Sequence, residues 1–256
     1  MTWEEQQMII SKVERRYIPA LTKVLQRFYD EAVQLYRENR TGELSNKFFD
    51  HELMNAIRAI HLKAGVAMAR AVYRSMPTVR QLKAGQMGIS DSWLAAVNNF
   101  LSKFALQFVT NIIATERERM TRLFERATKE GWSYERLAQE IATSGMAVRR
   151  ARVIARTEAH RGAMAGSKEG AKSLPYEVIK EWLSASDSRV RREPRDQFDH
   201  RELSGQQKEM DEPFHNEEDI MFPGDPNAMP GNTIQCRCVM NYIPKRDERG
   251  MLILKK

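Results

Sequence analysis

Three residues in the last third of the chain, His200, Cys236 and Cys238, are of the types that hold soft metal ions. Zinc takes imidazole nitrogen and thiolate sulfur at about 2.0–2.3 Å, and His215 or Asp225 would complete a four-coordinate set. The spacing argues against a metal. Cys-x-Cys is not the separation of common zinc knuckles, and these two cysteines are the chain's whole complement. Small buried thiols beside a hydrogen-bonded histidine are the simpler reading, because cysteine ranks among the most buried residue types. No cofactor is therefore expected, with structural zinc on His200, Cys236 and Cys238 as the alternative. If residues 233–243 form a strand, the two cysteines face one side about 6.6 Å apart along the chain. A disulfide wants Cβ atoms about 3.8 Å apart, so reduced thiols are expected.

Glu158, Asp187, Arg189 and His200 supply the residue types of an acid/base cluster. A hydrolase also needs a nucleophile or metal-bound water in fixed geometry. The chain has no G-x-S-x-G, H-E-x-x-H, Walker A or G-x-G-x-x-G pattern. An acid facing an arginine across a polar loop is an ordinary way to pin that loop with charge-assisted hydrogen bonds. Pinning is the expectation here, with no catalytic residue and no enzymatic activity. The rival is a metal- or acid/base-dependent enzyme acting on nucleic acid.

These residues belong to an ordered series of landmarks: Ala155-Arg156-Thr157-Glu158, Trp182, Asp187 with Arg189, His200-Arg201-Glu202-Leu203-Ser204-Gly205, Phe222-Pro223-Gly224-Asp225-Pro226, and Ile234-Gln235-Cys236-Arg237-Cys238. In order and spacing the series resembles the phage Mu F-like head-morphogenesis family, over about half the chain from Gly131 to Ile243. Gln235 stands where that family usually has Asn. The resemblance implies a minor head protein of a tailed phage or prophage, acting in procapsid assembly near the portal and sited in the virion head. It implies portal or major capsid protein as partner, several copies per particle, and Arg156, Glu158, Trp182, Asp187, Arg189, His200, Gly205, Cys236 and Cys238 as structural landmarks.

The net charge is +7, and it is unevenly placed. Between Gly145 and Lys172 seven cations face two acids, a local +5. Such a segment suits double-stranded DNA or an acidic partner, with Arg149, Arg152 and Arg156 as the contact residues; the alternative is a solvated helix face.

The elements that position these groups read as α+β. Residues 1–130 look helical; the resemblance implies that they form a portal- or capsid-attachment region, followed by a head-morphogenesis domain at 131–244 and a basic tail at 245–256. Ile18, Leu21, Val24, Leu25, Phe28, Ala32 and Leu35 recur at helical spacing, with Pro19 starting or kinking the helix. Leu53, Ile57, Ile60, Ala64, Met68 and Val72 form a second stripe. Met76-Pro77, Gly85 and Gly88 mark a connector, and Asp91-Ser92 offers cap chemistry for a third helix with a stripe from Trp93 to Ile112, with continuation through Thr115–Glu130 to Gly131. Ser133 caps a short helix ended by Gly145. Ala151, Ala155, Ala159 and Ala163, extended by Gly166 and Gly170, give the basic helix a bulk-free stripe for close packing. Residues 177–183 and 233–243 alternate like strands around a long polar loop, and the tail reads as a frayed terminus. No leader-like segment and no apolar run of about 18–20 residues is present, so a cytoplasmic site of assembly and no membrane partner are expected.

Overall fold

Thr2 and Glu5 start the first helix with a reciprocal capping box, in which each side chain accepts from the other's backbone N–H. The computed structural model describes residues 1–44, 47–76, 87–185 and 187–255. Helix α1 (Trp3–Arg37) carries Pro19 in its interior, so the proline neither starts the helix nor ends it. The cap at Thr2 lies seventeen residues upstream and sets the start instead. Helix α2 (Lys47–Ser75) buries the stripe from Leu53 to Val72. Helix α3 (Met87–Lys129) begins ahead of Asp91 and Ser92, which therefore lie inside it and do not mark its start. Helix propensity and tertiary packing override a local cap signal there. Gly88 also lies inside α3, whereas Pro77 and Gly85 fall outside the described residues.

Helix α4 (Tyr134–Thr143) is capped by Ser133, whose hydroxyl accepts from the Arg136 N–H. Gly145 at φ +60 then turns the chain into α5 (Met146–Lys172). The alanine stripe of α5 is wholly buried against α1 and α2. Two glycines continue it, and there the backbones touch. A Cβ at Gly166 would sit 2.1 Å from the Gly65 carbonyl oxygen, and one at Gly170 would sit 2.4 Å from that of Ala69. Only glycine fits between helices this close.

After α5 comes a three-stranded antiparallel sheet in the order β2 (Gln207–Glu209), β1 (Val178–Leu183), β5 (Val239–Pro244). Lys180 pairs with Lys208 on one side and Tyr242 on the other. The polar stretch between β1 and β5 holds β2 and a hairpin of β3 (Phe214–His215) with β4 (Asp219–Ile220), then a single helical turn α6 (Pro230–Thr233). Strand β5 starts at Val239, so 233–238 is not strand as its alternation predicts. Gln235 takes φ +57, and the Cys236 N–H closes a turn onto the Thr233 carbonyl.

The tail is not frayed. It folds back along β1 and β5, with backbone hydrogen bonds from Glu177 N–H to Ile253, Ile253 N–H to Lys245 and Lys255 N–H to Pro175. At the other end of the chain, the Trp3 indole and the Gln7 amide donate to the Arg237 carbonyl at 2.8 and 3.0 Å, and the Gln6 amide donates to that of Met240 at 2.8 Å. Backbone groups just ahead of β5 and in its first turn are thus satisfied by α1, as buried carbonyls require.

Candidate functional site

The two cysteines leave the strand pattern but still converge. The left-handed Gln235 redirects the chain so that both thiols reach the His200 ring, with Cys236 Sγ 3.5 Å and Cys238 Sγ 3.4 Å from Nδ1. Left-handed backbone costs a glutamine more than an asparagine, so the residue usual in the resembled family is the one this geometry favours. All three residues are buried, and both cysteines are free thiols. Their Nδ1 and Sγ atoms lie within 4.8 Å of one another.

A chain of hydrogen bonds fixes the histidine. The Asn232 amide nitrogen donates to Asn216 Oδ1 at 3.0 Å and to Glu218 Oε1 at 2.9 Å, so its oxygen is the end that faces His200. That oxygen lies 2.5 Å from His200 Nε2 and can only accept. Nε2 therefore carries a proton, and in the neutral ring Nδ1 presents its lone pair to the two sulfurs. Trp182, fully buried in β1, meets the imidazole edge-on with ring centroids 5.5 Å apart. Burial opposes ionisation of Cys236, yet its hydrogen bonds to Cys238 and His200 hold the thiol well below its ordinary value. Burial, and then the neighbouring Cys236, push the Cys238 thiol up. Burial disfavours the His200 cation, but its bond to Cys236 raises the imidazole above its usual value.

The other landmarks form separate knots. Glu158, buried in α5, accepts from His61 Nε2 at 2.8 Å and Arg161 Nη1 at 2.7 Å. Burial works against its charge, but Arg161 and then His61 keep the carboxyl below its ordinary range. Arg161 also donates to the Gly224 carbonyl at 3.2 Å and stacks over Phe108 at 4.3 Å. Its neighbour His160 donates from Nε2 to the Cys238 carbonyl at 2.6 Å, and Gly224, at φ +84, packs on that ring. Asp225 caps the turn by accepting from the N–H groups of Met221 and Asn227, both at 2.9 Å. It is not a partner of the thiols, and neither is His215, which is exposed and paired with Asp219.

Asp187 receives a two-pronged bond from Arg237, both arms at 2.6 Å. That bond holds its carboxyl far below the carboxylate range. Arg189 donates its backbone N–H to the same carboxylate at 2.9 Å, while its guanidinium is exposed and 3.6 Å away. Gly205, at φ +84, donates its N–H to the Trp182 carbonyl at 2.8 Å and joins the loop to β1. Glu158, Asp187 and His200 thus have different partners and form no shared acid/base cluster. The sequence reading missed His61, His160, Asn232 and Arg237. His61 was detectable as a lone polar residue beside the buried face of α2, whereas nothing near Asn232 announces its role.

Residues 118–241 match the family described as Phage Mu protein F like protein. That segment belongs to the phage Mu F-like family. No curated protein and no solved structure matches the chain. The family points to a phage head-morphogenesis protein and to a place in the virion. Among the described residues no helix is long and apolar enough to cross a membrane.

Basic side chains of the Mu F-like segment divide into two groups. Arg150 is held by Glu116 at 2.5 Å, Arg161 by Glu158, and Arg156 by Glu14 of α1 at 3.2 Å. Arg149, bonded to the Ser144 carbonyl, and Arg152 are exposed. Arg156 also lines a cavity of about 320 Å³ with Arg189, Arg191, Arg195 and Arg237, against the acid Asp196. Three of these arginines lie in or beside the loop that follows β1. The concentration of positive charge is thus made by the fold and not by α5 alone.

Proposed function

We propose that the chain is a structural minor head protein of a tailed phage or prophage, working in procapsid assembly beside the portal and not as an enzyme. The observation that carries this reading is that the polar landmarks of the Mu F-like segment are bonded to other groups of the same chain. Glu158 is saturated by His61 and Arg161, and Asp187 by Arg237. An acid/base catalyst must offer such groups to a substrate. Here they fasten loops to helices and sheet.

Arg152 and Arg189, with the arginine-lined cavity between α5 and the loop after β1, are the surface we assign to the phosphates of packaged double-stranded DNA. Contacts of this kind position a protein on a duplex and do not read bases. Several copies around a portal would raise a weak single contact through effective concentration.

Co-expression of the tagged chain with the portal protein and, separately, with the major capsid protein of the same phage tests the assembly role. Co-purification with one of them in more than one copy is expected. Failure with both, together with turnover of nucleic acid that Glu158→Gln abolishes without changing the melting temperature, would replace the structural reading with an enzymatic one.

A further inference from the structure

His200 comes from the loop between β1 and β2, and the cysteines come from the segment between α6 and β5. Among the described residues no regular secondary structure joins these two pieces of chain. They meet at three donor atoms, one nitrogen and two sulfurs, buried and within 4.8 Å of one another. We propose that this is a binding site for a soft divalent cation, Zn²⁺, held by His200 Nδ1, Cys236 Sγ and Cys238 Sγ, which staples the two segments together.

Three features of the surroundings support a metal over a bare hydrogen-bonded cluster. The donor set is that of zinc sites, where thiolates and an imidazole share one tetrahedron. The ring is oriented from outside the cluster, since Asn232, itself held by Asn216 and Glu218, fixes the proton on Nε2 and frees Nδ1. Metal-bound histidines are almost always arranged in this way, with the far nitrogen donating to an oriented acceptor. Finally, the positive φ at Gln235 is a strained backbone feature whose structural effect is to bring Cys236 and Cys238 to the same nitrogen. A purely apolar site for two small thiols would not need that turn.

Binding takes one proton from each thiol to solvent and leaves His200 neutral. Among the described residues no fourth His, Cys, Asp or Glu joins the group. The site is independent of the assembly role proposed above.

The test uses the full chain, expressed in zinc-supplemented medium and purified with reductant but without chelator. About one zinc per chain is expected by elemental analysis. Cys236→Ser and Cys238→Ser should each lower that content severalfold. Those variants could fail to fold, so the second arm uses wild-type chain, stripped of metal, reduced and titrated with Co²⁺. It should develop thiolate-to-cobalt charge-transfer absorption in the near ultraviolet and the visible bands of a tetrahedral ion, both lost on adding excess Zn²⁺. Asn232→Ala should weaken Co²⁺ binding by about 10–100-fold while leaving the helical circular dichroism in place. Zinc below a tenth of an equivalent, with no thiolate-to-cobalt band, would overturn the proposal. Cobalt bound without that band would overturn it equally, because the ion would then sit on other residues.

Discussion

Adding one methyl group at Gly166 tests the packing of α5 directly. The new Cβ would lie 2.1 Å from the Gly65 carbonyl oxygen, 2.5 Å from its carbonyl carbon and 2.5 Å from its Cα. A carbon–oxygen contact settles at about 3.3 Å, so the helices must part locally by roughly 1.2 Å. All three obstructing atoms are backbone, so no rotamer change relieves the clash. Overpacking of this kind costs about 1–3 kcal/mol and rises where backbone must move. Working against that is the helix propensity of alanine over glycine, about 1 kcal/mol. Parting α2 from α5 also loosens contacts along the buried stripe from Ala151 to Ala163, which puts the overpacking at or above the top of its range. We expect a net loss of about 2–3 kcal/mol. In a chain of this size that lowers the melting temperature by about 4–12 °C, read by circular dichroism at 222 nm. A Gly166→Ala protein as stable as wild type, or more stable, would refute the close approach of α2 and α5.

Glu158→Gln leaves His61 and Arg161 without their shared carboxylate in a buried site. Removing one partner of such a group costs roughly 3–5 kcal/mol, so the denaturant midpoint should fall clearly; an unchanged midpoint would contradict the arrangement. Acid should destabilise the wild type for two reasons with one sign. Burial lowers the His160 value, and Arg161 and His61 hold that of Glu158 down. Both groups therefore contribute stability above their unfolded values, near pH 6.5 and 4.3, and lose it as pH falls through the folded ones. Urea midpoints between pH 8 and 4 should decline from about pH 6.5 downward, and a flat profile would be the contrary result. The double variant Arg152→Ala/Arg189→Ala should make the log–log salt dependence of DNA binding shallower by about 1.8. An identical slope would show that neither residue meets a phosphate.

How legible each part was depends on how far apart its determinants lie. The stripe from Leu53 to Val72 and the Ser133 cap are local, and both are found where periodicity and cap chemistry put them. The start of α1 was also written locally, as Thr2-x-x-Glu5, but the proline seventeen residues after Thr2 drew the boundary to itself. Strand β2 is only Gln-Lys-Glu, a polar triplet with no strand signature, and it exists because β1 offers it an edge. The alternation through 233–243 fails for burial at Ile234, which is exposed, and at Val239, which is buried, and a single left-handed residue at Gln235 breaks the strand ahead of the two buried cysteines. The donor atoms at His200, Cys236 and Cys238 were visible as residue types. Their meeting was not, since it depends on Asn232, thirty-two residues from His200, and on a hydrogen-bond direction that no spacing encodes.

The contacts of Trp3, Gln6 and Gln7 with the carbonyls of Arg237 and Met240 give the molecule a timetable. They span up to 234 residues, so during synthesis α1 waits for β5. At about 5–20 residues per second that wait is roughly 10–50 s. During it α1 and α2 can pair, but the trough that receives α5 stays open until residue 172 emerges. A nascent chain paused before that point presents a long apolar trough, and holding factors or a waiting assembly partner would meet it in that form. Closure by β5 then reports that synthesis has reached at least Met240, so a copy arrested earlier keeps the first turn of α1 unanchored.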